Sequence, residues 1–147
     1  MKTSQLLLST LAVAVVASIA AAPAAAAPRA ACSVLTLAQV RAIVAAPVEV
    51  YQPGSSVPTT QGTSTFSTCT YVVPNTMGRA GRLSLLWGPT GTLTTTYNFY
   101  VKRGKELARM DGDMLVLASV TITTHGGTAY DQPASSKLMK AALAKLP

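Results

Sequence analysis

Two cysteines, Cys32 and Cys69, follow an export leader, and the bond expected between them constrains the fold more than any other feature of the chain. Lys2 opens the leader. Leu6 to Ala22 is an apolar run interrupted by Ser9, Thr10 and Ser18, and the small residues Ala24 to Ala27 follow. A positive start, an apolar middle and a small-residue end make a secretory signal peptide. An exported chain with two cysteines usually joins them. The closed loop holds 38 residues counting both ends (69 − 32 + 1). Loop-closure entropy for that length gives about 4 kcal/mol of stabilisation, a large share of what a small domain possesses. A redox pair would more often be Cys-x-x-Cys at a helix start, and this chain has no such spacing.

Signal peptidase prefers small residues at −3 and −1. Ala24 and Ala26 supply them, with cleavage before Ala27; cutting one residue later, or after Ala22, would leave Pro28 or Pro23 at +1. A retained anchor would need the run of 17 residues from Leu6 to Ala22 to span a bilayer. That is the lower edge of a spanning length, and Pro23 and Pro28 break its continuation. A lipid anchor on Cys32 would need leucine where Arg29 stands, and Cys32 lies well past the apolar core. The expected organisation is therefore a signal peptide at 1–26 and one domain at 27–147. The mature protein is expected to be secreted or periplasmic, with no membrane span after cleavage.

Without Lys2 the chain carries 11 Lys and Arg (12 − 1) against 5 Asp and Glu. Arg79, Arg82, Lys102, Arg103, Lys105 and Arg109 are spread out rather than gathered into a basic run interleaved with aromatics, so nucleic acid is not an expected partner. Weak attraction to an anionic envelope surface is compatible with the charge.

Residues 33 to 46 read as a helix. Thr36 and Gln39 have capping-box spacing, Leu35 and Val40 can form a hydrophobic staple, and Pro47 stops the run. Cys32 precedes the cap, so the disulfide would pin this helix start to the sheet. Val48 to Tyr51 suits a short strand, and 52 to 64 is a loop by its Pro, Gly, Ser and Thr content. Thr65 to Val73 and Arg82 to Trp87 alternate as two strands expected to pair antiparallel. In the second, Leu83, Leu85 and Trp87 alternate with Arg82, Ser84 and Leu86. From Thr90 to Lys105 the threonines favour strand, but Leu93, Tyr97, Tyr100 and Val101 keep helical spacing. A helix ended by Gly104 is the expectation. Glu106 to Met110 and Asp113 to Thr124 flank Asp111-Gly112, a type I′ hairpin signal, and Gly126-Gly127 ends the second strand. The last segment, Pro133 to Leu146, reads as a helix with Leu138, Ala142 and Leu146 in one stripe. The fold class is α+β: an antiparallel sheet with helices packed on one face and one disulfide.

The run Ala31-Cys32-Ser33-Val34-Leu35-Thr36-Leu37-Ala38-Gln39-Val40, then Ala45-Ala46-Pro47-Val48 and Cys69-Thr70-Tyr71, resembles a broad bacterial group of small secreted proteins and lipoproteins of unknown function. It is also similar to the extracytoplasmic sensor domains of some bacterial Ser/Thr kinases. The likeness covers about residues 31 to 73. Gln39 stands where the group usually has an acid and Ala46 where it usually has glycine, and a Gly-x-Gly-Asp segment is absent. The resemblance implies a disulfide-tied α+β domain and carries over no catalytic residue.

The reactive inventory is thin. His125 is the lone histidine, next to Gly126-Gly127, and metal sites need three or four converging ligands. A His/Asp/Asp cluster with Asp111, Asp113 and Asp131 has no recognised spacing. There is no Gly-x-Ser-x-Gly elbow and no phosphate-cradling loop. No catalytic residue, metal or cofactor is expected. Tyr97, Phe99 and Tyr100 are the one aromatic concentration; core packing is their ordinary role, and a ligand groove between helix and sheet is the functional alternative. Trp87 is weighed the same way, so Tyr97, Tyr100 and Trp87 are the candidate ligand-binding residues. The leading expectation is a non-enzymatic module, a monomer, that binds or senses a small ligand. The alternatives are an envelope-associated interaction protein (an inhibitor or accessory subunit) using the 52–64 loop and the basic face, and a weak hydrolase built on His125. The leader assignment predicts that protein recovered from its native location begins at Ala27, which intact mass measures directly; a mass retaining residues 1–26 would refute it.

Overall fold

The computed structural model describes residues 27–51, 56–74 and 78–146. The signal-peptide segment lies outside the described residues, as does 52–55 of the predicted loop. A short 3-10 turn, Ala31–Ser33, leads into α1 (Leu37–Val44). Strands β1 (Glu49–Tyr51), β2 (Thr59–Gln61), β3 (Ser64–Val72) and β4 (Arg79–Trp87) follow, then α2 (Thr90–Val101). The hairpin of β5 (Ala108–Asp111) and β6 (Met114–Thr124) leads to β7 (Gly127–Tyr130) and α3 (Gln132–Leu143). The expected α+β class, antiparallel sheet and disulfide are all present.

All seven strands form one antiparallel sheet, with the long strands β3, β4 and β6 at its centre. Each outer edge is made of two short pieces. β1 and β2 both pair with β3, and β5 and β7 both pair with β6. On the edge of β6 away from β4, the gap between β5 and β7 leaves no strand partner around Val120. There the buried Ser135 of α3 fills in: its hydroxyl accepts from the Val120 amide at 2.8 Å, and the Asp131 amide donates to the Val120 carbonyl at 2.8 Å. Buried backbone groups need such partners.

Period-two alternation sorts the sheet's residues. Cys69 and Tyr71 of β3, Leu83, Leu85 and Trp87 of β4, and Met114, Val116, Ala118 and Val120 of β6 form one apolar face. It is covered by Val40 and Val44 of α1 and by Leu138, Met139 and Ala142 of α3. The capping box at Thr36 and Gln39 is present, and Leu35 and Val40 are both buried. α1 is shorter than the sequence suggests at both ends: it begins only after the Thr36 cap, and it ends where Ala45 turns left-handed, at φ 56°. Arg41 then donates to the Val48 carbonyl and ties the helix to its exit. Cys32 and Cys69 are bonded, with Cα atoms 4.9 Å apart, so the turn before α1 is fastened to the middle of β3.

α1 and α3 share that face, whereas α2 packs on the other. Its Leu93, Tyr97 and Tyr100 meet Leu86, Ala108, Leu115 and Leu117 in a second, smaller core. In threonine-rich α2 the Thr95 and Thr96 hydroxyls donate to the carbonyls of Gly91 and Thr92, so these side chains find partners within the helix. At its end Gly104 makes room for the Gln132 amide: a Cβ there would lie 2.4 Å from that side chain and would displace it.

Three segments differ from expectation. β2 falls in the segment expected to be a loop, and β7 lies past Gly126-Gly127 in a stretch with no expected element. All their residues are exposed, Tyr130 at 36 %, so they carry no burial alternation, and a turn folds each onto β3 or β6. The β5–β6 turn lies one residue further on. Asp111 pairs with Met114, so Gly112 and Asp113 are the central residues. Only Gly112 has positive φ, at 60°, which is the sign pattern of type II′ rather than I′.

Two stability predictions follow from the core. Replacing both cysteines by alanine should lower the unfolding free energy by about 4 kcal/mol in urea titration. Tyr71 is fully buried, its hydroxyl has no hydrogen-bond partner among the described residues, and burial pushes its pKa from 10.0 up to about 12. The folded state therefore holds this proton more tightly than the unfolded one. That contribution is complete below pH 10.0 and is lost as pH rises to about 12. Tyr71→Phe should match or exceed the parent's stability at neutral pH, because an unpaired buried hydroxyl costs about 1 kcal/mol or more. It should also lack about 2 kcal/mol of the parent's loss between those two pH values, measured by denaturant unfolding at each pH.

Candidate functional site

α2 reaches only part of the sheet's second face. The rest is a shallow groove of about 250 Å³. Sheet register builds its floor. Thr70, Arg82 and Ser119 lie in one row across β3, β4 and β6. The row on one side is Val72, Ala80, Thr121 and Tyr130, and the row on the other is Thr68, Ser84, Leu117 and Ala108. Tyr100 and Leu107 border the groove from the α2 side, and Thr128 and Tyr130 of β7 border it from the other.

Some floor hydroxyls are occupied. Thr68 and Ser84 bond to each other at 2.9 Å, and Thr121 donates to the Ala80 carbonyl at 3.4 Å. The hydroxyls of Thr70 and Ser119, the two neighbours of Arg82, bond to no described residue, and Arg82 has no ion-pair partner among them. Arg79, three residues earlier on the same strand and on its opposite face, is paired with Asp131. Asp131 also caps α3, accepting from the Ala134 amide at 3.0 Å.

Tyr100 is held by its surroundings. The Phe99 ring meets it edge-on with centroids 5.3 Å apart, and the Arg103 guanidinium lies 3.6 Å above Phe99. Gln132 of α3 donates to the Arg103 carbonyl, fixing the end of α2 against the start of α3. Lys102, Arg103 and Lys105 then follow Tyr100 as exposed cations.

Of the three aromatic candidates, Tyr100 lines the groove. Tyr97 packs into the small core under α2. Trp87 lies on the opposite face, 9 % exposed within the main core, because it shares strand parity with Leu83 and Leu85. The residues that sequence reasoning missed are Arg82, Thr70, Ser119, Thr128 and Tyr130. The available signal was Arg82 alternating with Leu83, Leu85 and Trp87, which puts it on the face opposite the apolar one.

The histidine cluster is not assembled. His125 sits in the exposed turn between β6 and β7, and Asp111 and Asp113 lie at the β5–β6 turn at the other end of β6. The 11 residues of that strand separate them by roughly 35 Å at the usual rise per residue. Asp131 is committed to Arg79 and to the helix cap. Among the described residues, no three His, Cys, Asp or Glu side chains gather to hold a metal, and no helix is long and apolar enough to cross a membrane. In comparisons with known proteins, no family model, no curated protein and no solved structure matches the chain.

Proposed function

We propose that the chain is an exported, non-enzymatic module that binds or senses a small ligand, and that the groove on the second sheet face is its site. The observation that carries this reading is a concave, hydroxyl-lined floor left open where α2 stops, bordered by Tyr100 and Tyr130. Sites of this kind combine a few placed polar groups with aromatic walls. The disulfide fits an oxidising compartment, in keeping with the leader and with the likeness to extracytoplasmic sensor domains. Nothing in the groove pairs a nucleophile with a base, which is why binding is preferred to hydrolysis.

A second reading, an envelope-associated interaction protein, draws on Tyr51, Val57 and Phe66, which are exposed around β1, β2 and β3. Photo-cross-linking from position 66 in the native envelope separates the two: a reproducible protein adduct there favours the second.

The groove reading predicts that a thermal-shift screen of small metabolites and glycans yields a ligand that stabilises the parent. A ligand at 100 times its Kd adds about 2.7 kcal/mol. Ser119→Phe, which fills the middle of the floor, should abolish that shift while leaving the unliganded midpoint within a few degrees of the parent's. Equal stabilisation of both proteins would place the ligand elsewhere.

A further inference from the structure

Resting on the groove reading, we propose that the ligand is a small organic carboxylate. Its anionic end is held by the Arg82 guanidinium between the hydroxyls of Thr70 and Ser119, and its body lies between Tyr100 and Tyr130.

The argument begins with the surroundings of Arg82. Its register partners are Thr70 and Ser119, and its same-face neighbours along β4 are Ala80 and Ser84. None is an acid. The chain's five acids are all placed elsewhere. Asp131 is paired with Arg79, and Glu106 lies 4.0 Å from Arg109. Asp111 closes β5 and Asp113 is a central residue of the β5–β6 turn. Glu49, on β1, is two strands away and two residues out of register, roughly 12 Å by strand spacing and rise. The two hydroxyls beside Arg82 are also without a described partner, so an exposed cation and two hydrogen-bond donors stand side by side in one row of the groove lining.

The chemistry of that spot selects the ligand class. Guanidinium is a planar fork that matches a carboxylate in two parallel N–H···O bonds. The two hydroxyls can donate to the carboxylate's remaining lone pairs. The floor offers one cation, which matches one negative charge. A phosphate monoester carries about 1.5 to 2 charges at neutral pH and would leave part of its charge unmatched. Lys102, Arg103 and Lys105 beyond Tyr100 raise the potential around the groove and favour anions on approach.

Size narrows the body of the ligand. A volume of about 250 Å³ lies just under the roughly 300 Å³ at which pockets for drug-sized ligands begin. That is room for a single ring or a short chain bearing the acid. The tyrosines offer flat, amphipathic faces to such a body.

The test is an amide chemical-shift titration of the purified chain with benzoate, with its neutral analogue benzamide and with inorganic phosphate, at low ionic strength. Benzoate should saturably shift Thr70, Arg82, Ser119, Thr121 and Tyr130, and benzamide should bind at least tenfold more weakly. Arg82→Gln should lower benzoate affinity about tenfold or more, Arg82→Lys should restore only part of it, and the thermal midpoint of both variants should match the parent's. If benzamide shifts the same amides equally, or if Arg82→Gln binds benzoate as the parent does, the anion assignment falls and the groove reading stands. Tighter binding of phosphate than of benzoate, lost in Arg82→Gln, overturns the carboxylate class. If no probe shifts these amides, the assignment is also overturned. A neutral compound whose stabilisation is blocked by Ser119→Phe would then preserve the groove reading alone.

Discussion

The alternation within β4 is the constraint on which the rest of the structure depends. This strand lies at the sheet's centre, paired along its length with β3 on one side and β6 on the other. Its odd-numbered residues Leu83, Leu85 and Trp87 need an apolar cover, and its even-numbered residues Arg82 and Ser84 need water or a polar partner. A one-residue slip would exchange the two sets. The main core, the position of α1 and α3, and the open groove all follow from holding this register. The disulfide contributes to that hold: Cys69 faces the same way as Leu83, its register partner, and its bond to Cys32 keeps the start of α1 over the apolar side.

The sheet is completed by economical means. Both outer edges consist of short pieces with a break between them. The break beside β6 is filled by a serine hydroxyl from α3 rather than by more strand. On the β3 side, the buried Ser67 hydroxyl accepts from the Ala31 amide at 2.7 Å and donates to the Ser56 carbonyl. Side-chain oxygens thus satisfy backbone groups at each broken edge, which allows the edges to be short and leaves little continuous exposed strand to recruit another chain.

Much of this was legible in the sequence where the determining physics is local. The capping box at Thr36 and Gln39, the alternation of β3 and β4, the stripe of Leu93, Tyr97 and Tyr100, and the stripe of Leu138 and Ala142 each lie within one turn or one strand. β2 and β7 were not legible, because exposed residues carry no burial pattern and their pairing is imposed by a neighbour. The site was half legible for the same reason. Tyr100 was visible as an aromatic on the packed side of a helix. The role of Arg82 was not, because its neighbours Thr70 and Ser119 come from strands 12 and 37 positions away in sequence, and because the extent of α2's cover depends on the whole chain path. Trp87, by contrast, belonged to the core by parity alone, a conclusion its spacing from Leu83 and Leu85 already contained.

The two arginines of β4 make the final comparison. They occupy one strand, three residues apart, and project from opposite faces. Arg79 sits at the rim of the closed face, and the fold brings Asp131 to it from the start of α3, where the same carboxylate also caps the helix. A charge beside a packed core is costly unless it is paired, so that pairing is structural. Arg82 faces the open side, where water can solvate it and stability demands no partner. A chain free of other constraint could place threonine there, as it does at Thr70 and Thr121, with better strand propensity and no charge to accommodate. Arg82, between two hydroxyls with no partner among the described residues, is therefore not held by the packing of the core, and the proposed ligand site rests on that contrast with Arg79.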